Sequence, residues 1–139
     1  MENENLPYAN FDYSELPLIQ GELTGAEATD ENFLAYLEEI NSIYLKAERY
    51  ISILDMTKAT YLSAKYRILQ GQYLDKNKER IEKQAIAVVI IAPSFLHRTL
   101  LKGVFFIKPY PSPVFIVSNK EEAREKANEL LEEEKNHTS

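Results

Sequence analysis

The chain has no cysteine, which removes disulfides, thiolate metal sites and cysteine nucleophiles. Histidine is nearly as scarce. His97 and His137 are the only two, the second close to the end of the chain, so a histidine-rich metal site is excluded. A serine triad would have to draw on His97, with Ser94 three residues before it and Asp55 across a loop. The Gly-x-Ser-x-Gly elbow of such sites is missing, as are a phosphate loop and a dinucleotide fingerprint. A chain without catalytic activity, metal or cofactor is therefore expected. Long apolar runs are missing too: the longest covers eight residues, against the ~20 that span a bilayer. The opening Met-Glu-Asn-Glu-Asn lacks the basic and then apolar order of a signal peptide, so a cytoplasmic location is expected.

Basic residues are absent from the first third. Residues 1–45 hold ten acids and no Lys or Arg, residues 46–108 hold five acids and twelve bases, and the remainder holds seven and four. The segments carry -10, +7 and -3, which sum to the net -6. A basic middle gathered on one face would suit an anion, an acidic partner or nucleic acid. Its bases are scattered over two helical stretches with no aromatic-basic RNA motif among them, so charges interspersed in the fold are expected and nucleic acid is not.

What the chain does have is the octapeptide Ala85 to Ala92, Ala-Ile-Ala-Val-Val-Ile-Ile-Ala, closed by Pro93. Eight residues are short for a helix, and consecutive β-branched side chains before a proline favour a strand covered on both faces. Such a strand implies an α/β domain: a mixed, mostly parallel sheet of four to five strands with helices on both faces. With 139 residues, one core suffices. Residues 1–7 and 136–139 read as disordered ends of a single domain over 8–135.

The other elements follow in order. A short edge strand is expected between Tyr8 and Tyr13, then a strand over Leu16 to Leu23 with Leu16, Leu18 and Leu23 on its inner side. Thr29 caps a helix over 30–48, with Phe33, Leu37, Ile40 and Tyr44 as its apolar stripe. Tyr50 to Asp55 is a core strand. Ser63 caps a helix running to Lys83, where Gly71 suggests a kink or a close backbone approach. Ser94 caps a third helix, largely covered, that ends near Ile107 before the stiff Pro109 to Pro113 connector. Val114 to Val117 is the last strand, and Ser118 with Glu121 makes the capping box of a final helix whose inner face is Ala123, Ala127, Leu130 and Leu131.

The alternation, the strand exit Ile-Leu-Asp-Met-Thr-Lys-Ala at 53–59, Gln84 with the octapeptide, Leu96-His-Arg-Thr-Leu-Leu at 96–101, Pro-x-Pro before Val-Phe, and Glu-Glu-Ala at 121–123 together resemble the STAS fold of anti-sigma-factor antagonists. They are most similar to its stand-alone bacterial relatives, over about residues 10–135. The resemblance implies a non-enzymatic regulatory or protein-interaction domain. Phosphoregulated members carry Asp-Ser-Ser-Gly at a strand exit; here the comparable loop is Tyr61-Leu-Ser-Ala-Lys65, which keeps only Ser63, whose ordinary use is as a helix cap.

In a parallel sheet ligands gather outside the carboxyl ends of the strands, where helix N-termini also point. Ser94, His97, Arg98 and Lys102 are therefore the candidate anion or partner site, since cations in the first turn of a helix oppose its dipole unless an anion compensates. Asp55, Thr57 and Ser63 form a candidate strand-exit loop site. Phe105 and Phe106, being consecutive, cannot both face the sheet; with Tyr110 they are the candidate interface of a homodimer. Tyr36, Tyr44, Tyr66 and Tyr73 fall on or beside apolar stripes and read as packing residues. The alternative is a domain that binds a small apolar or anionic ligand, by analogy with the CRAL-TRIO lipid-binding fold, in a cavity ringed by Phe95, Phe105 and Tyr66.

Overall fold

The computed structural model describes residues 6–105 and 110–138, the side chains of 103–105, 137 and 138 excepted. Five strands, β1 (Ala9–Glu15), β2 (Leu18–Leu23), β3 (Tyr50–Asp55), β4 (Ala85–Ile91) and β5 (Val114–Val117), form one sheet whose spatial order follows the chain. The first pair is an antiparallel hairpin, and β2 to β5 run parallel. The α/β class and the mixed, mostly parallel sheet expected from the sequence are thus present.

Sequential order has a geometric consequence. Parallel crossovers are right-handed as a rule, and each new strand joins the same edge, so the rule puts every connecting helix on the same face. The core bears this out. Helices α1 (Asp30–Ser42), α2 (Ala64–Lys76), α3 (Lys78–Gln84) and α4 (Phe95–Phe105) send Phe33, Leu37, Leu74, Ile81 and Leu101 onto the side of the sheet that carries Leu23, Val88 and Ile90. Helix α5 (Lys120–Thr138) follows β5 and packs on the opposite face. There Ala123, Ala127 and Leu130 meet Ile51, Ile53, Ala87, Val89 and Ile91. The octapeptide is buried along nearly its whole length because it feeds both sides.

Several local expectations are corrected. Leu16 is 44% exposed in the turn before β2, and Leu18 and Leu23, five positions apart, point to opposite faces, as a period of two requires. Helix α1 stops at Ser42 and passes into a 3-10 turn, Ile43–Leu45. The stretch from Ser63 to Lys83 is two helices broken at Asn77, not at Gly71; the Asn77 side chain donates to the Tyr73 carbonyl at 2.9 Å. Ser63 occupies the cap position of α2 but its hydroxyl makes no capping bond. The cap of α5 is Asn119, whose Oδ1 accepts from the Glu122 amide at 2.9 Å, one residue beyond Ser118. That helix continues to Thr138, past the tail expected from residue 136. At the other end Pro7 is tied in, its carbonyl accepting the Thr24 hydroxyl at 2.6 Å.

The charge segments do interleave. Asp30 pairs with Lys65 at 2.7 Å, Glu15 with Arg124 at 2.8 Å, and Arg49 with Glu134 at 2.6 Å. Acids of the first third therefore meet bases supplied later in the chain.

Candidate functional site

Two places in the fold gather polar side chains. The first is the exit end of the parallel strands. Buried Asp55 closes the loop after β3: its Oδ1 accepts from the Thr57 amide at 2.9 Å and the Thr57 hydroxyl at 2.5 Å. The Thr57 carbonyl faces His97 Nε2 at 2.9 Å. A carbonyl only accepts, so Nε2 carries the proton and Nδ1 is left to accept from the Ser94 hydroxyl 2.6 Å away. Arg98 folds back, donating from Nε to the Ala92 carbonyl and from Nη2 to Ser118 Oγ, each at 3.2 Å.

Asp55, Thr57, Ser94, His97 and Arg98 are thus brought together, as the topology predicts. Their chemistry differs from the expectation. Asp55 spends its bonded oxygen on Thr57 and makes no hydrogen bond to His97, so the three do not form a triad. Arg98 donates to two neutral oxygens, from Nε and Nη2, and no carboxylate of the described residues pairs with it. Ser63 and Lys102 do not join the network; Lys102 stands exposed one turn beyond Arg98. Among the described residues no group of three His, Cys, Asp or Glu side chains could hold a metal. No helix of the described residues is long and apolar enough to cross a membrane.

The candidate interface also changes. Phe106 and the side chain of Phe105 lie outside the described residues. Tyr110 turns inward, packing between the two apolar clusters of the four-helix face. Exposed aromatic surface comes instead from the first turn of α4, where Phe95 is 84% and Leu96 66% exposed, so this helix is not largely covered.

The second place is a cavity of about 310 Å³ between the sheet and the helices α1 to α4. It exists because the strands are small-surfaced there: Gly21 and Ser52 lie on its floor beside Leu54, Val88 and Ile90. A Cβ on Gly21 would stand 2.9 Å from the Phe11 ring and 3.3 Å from Leu54, so the ring of the neighbouring strand covers the glycine. Tyr36, Leu37 and Ile40 of α1, Tyr73 and Leu74 of α2, and Leu101 of α4 roof it. Tyr8, Phe33 and Tyr36 pack ring against ring, with centroids 5.0 to 5.5 Å apart. Phe95 and Tyr66 do not line this cavity, contrary to the expected ring; Tyr66 packs on Phe33 and donates to Asp30.

Its polar content is specific. Tyr8, Tyr36 and Tyr50 are 7%, 8% and 5% exposed, and their hydroxyls make no hydrogen bond among the described residues. Burial pushes the Tyr8 phenol up to about 12 and carries Tyr36 and Tyr110 still higher. Tyr50 is also raised by burial, with nearby Arg80 pulling the other way. All four are neutral at ordinary pH and can both donate and accept. Among the described residues, Arg67 and Arg80 are the charged side chains lining the cavity, and no Asp or Glu does so.

Arg80 and Tyr50 were not singled out in the sequence. The one available signal was the abundance of tyrosine, nine in the chain, at positions where leucine would pack as well. Compared with family models, with curated proteins and with solved structures, the chain finds no match in any.

Proposed function

We propose that the domain binds a small, mainly apolar molecule in the cavity beneath α1 to α4. The carrying observation is a space of about 310 Å³ into which three buried phenols present hydroxyls that the protein leaves unbonded. These hydroxyls keep some accessible surface, since Ser112 Oγ is the one fully buried polar side-chain atom without a partner among the described residues, and they are therefore free to meet a ligand; space left unfilled by side chains forgoes packing at roughly 24 cal/mol per Å³. A ligand with an apolar body and one polar end fills the space and meets a hydroxyl. An engineered apolar cavity of about 150 Å³ takes benzene, so about twice that volume suits some ten to twelve non-hydrogen atoms.

Titration calorimetry with neutral probes of that size, such as 1-decanol, tests the reading: saturable one-to-one binding is expected. Ser52→Leu puts a larger side chain on the cavity floor and should abolish binding while leaving the melting temperature equal or higher. Absence of binding by all probes to the unmodified protein, or unchanged binding by the Leu variant, would count against the cavity.

A second reading rests on Phe95 and Leu96, which lie between Ser94 and His97 in the chain and are largely bare. Here the domain is a regulatory or protein-interaction module, as the resemblance to STAS domains implies, with α4 as its contact surface and a second copy of the chain as the first candidate partner.

A further inference from the structure

Arg80 differs from Arg49 and Arg124 and resembles Arg98, whose partners are also neutral oxygens, but Arg80 lines the cavity. Arg49 and Arg124 each grip a glutamate with two nitrogens. Arg80, half-buried in α3, has only neutral partners: its Nη2 donates to the Asn41 carbonyl at 2.9 Å, to Asn41 Oδ1, and to Asn77 Oδ1 at 3.0 Å. Its guanidinium carbon sits 4.0 Å over the Tyr44 ring. No carboxylate of the described residues pairs with it, and its Nε and Nη1 make no hydrogen bond among them. The positive charge is therefore held in place by amides and a ring face, with donors left over. Those donors belong to a residue lining the cavity, near the unbonded hydroxyl of Tyr50.

Resting on the cavity reading, we infer that the ligand is an organic carboxylate, its acid group held by Arg80 and Tyr50 where β3 begins and its apolar part running beneath α1 and α2. A planar carboxylate matches the fork of a guanidinium, and a hydrogen bond between charged groups is roughly twice as strong as a neutral one. Among the described residues the cavity lining supplies no Asp or Glu to repel or replace it. Most of the remaining lining is aliphatic and aromatic, with Arg67 and a few amide and hydroxyl side chains such as Ser52, Thr60 and Gln70 among it, so the body of the ligand is mainly hydrocarbon. An alkyl acid and an aromatic acid share this chemistry; decanoate has twelve non-hydrogen atoms and 2-naphthoate thirteen.

The test compares decanoate, 2-naphthoate and 1-decanol by calorimetry on the unmodified protein at pH 7.5, then on Arg80→Gln and Arg80→Lys. Decanoate or 2-naphthoate should bind at least about tenfold tighter than decanol, from a charge-assisted bond. The Gln variant should lose that margin while keeping decanol affinity, and the Lys variant should retain part of it. Which acid binds tighter separates an alkyl from an aromatic ligand. Equal binding of acid and alcohol overturns the carboxylate assignment and leaves the cavity standing. So does an Arg80→Gln variant that is folded by circular dichroism and binds the acids undiminished. Failure of all three compounds overturns both. The comparison on the unmodified protein needs no variant to fold.

Discussion

The phenols of the cavity set a pH dependence of their own. Burial raises Tyr8, Tyr36, Tyr50 and Tyr110 above the usual value near 10. A group whose folded pKa lies higher than its unfolded one favours folding below the unfolded pKa, and that contribution fades as pH rises through the folded value. The contribution of these phenols should therefore be constant up to about pH 10 and fall from there past pH 12. Tyr36→Phe removes one such group and leaves no partner behind, since its hydroxyl has none among the described residues. The variant should match the unmodified protein within about 1 kcal/mol at pH 7 and unfold later on alkaline titration, followed by circular dichroism. An unchanged alkaline midpoint would contradict it. At this scale the sequence was least legible. Asp55, Thr57, His97 and Arg98 follow from topology alone, because parallel strands deliver their exits to one end. Arg80 does not, since its role depends on Asn41 and Tyr50, thirty or more positions away, and on the lack of a carboxylate that no local pattern announces.

Elements were legible where one physical signal acted alone. β3, β4 and β5 fall where their β-branched runs fall. Helix ends were displaced where a competing side chain intervened, as with Asn119 in place of Ser118 and the break at Asn77. Helix α4 is the clearest departure: Leu101 is buried whereas Phe95 and Leu96 face outward, so an apolar composition did not translate into cover. If the second reading holds, α4 mediates self-association. Sedimentation should then show a dimer at micromolar concentration, and Phe95→Ser should weaken it at least tenfold. A monomer at that concentration would leave the α4 surface without this role.

For the molecule as a whole, right-handed crossovers and in-line strand order put three connections on one side of the sheet and left α5 to cover the other. The alternation of Val88 and Ile90 with Ala87, Val89 and Ile91 could be read as two buried faces before either helix set was placed. Which helices took which face depended on strand order, and strand order depends on contacts far apart in the chain. A cavity is expected from the sequence as an alternative, but its lining is not legible for the same reason: its floor comes from Gly21 and Ser52, two unremarkable residues in separate strands, and only the assembled sheet makes them neighbours.

Among the described helices, α5 is the one that shields the row Ile51, Ile53, Ala87, Val89 and Ile91. Progressive C-terminal truncation should accordingly show a cliff in place of a slope. Deleting residues 133–139 spares Ala123, Ala127 and Leu130 and should leave a soluble, cooperatively melting protein. Deleting from residue 122 onward would lay a greasy panel open to water, and the shortened chain should precipitate or stack with its own kind, as light scattering would register.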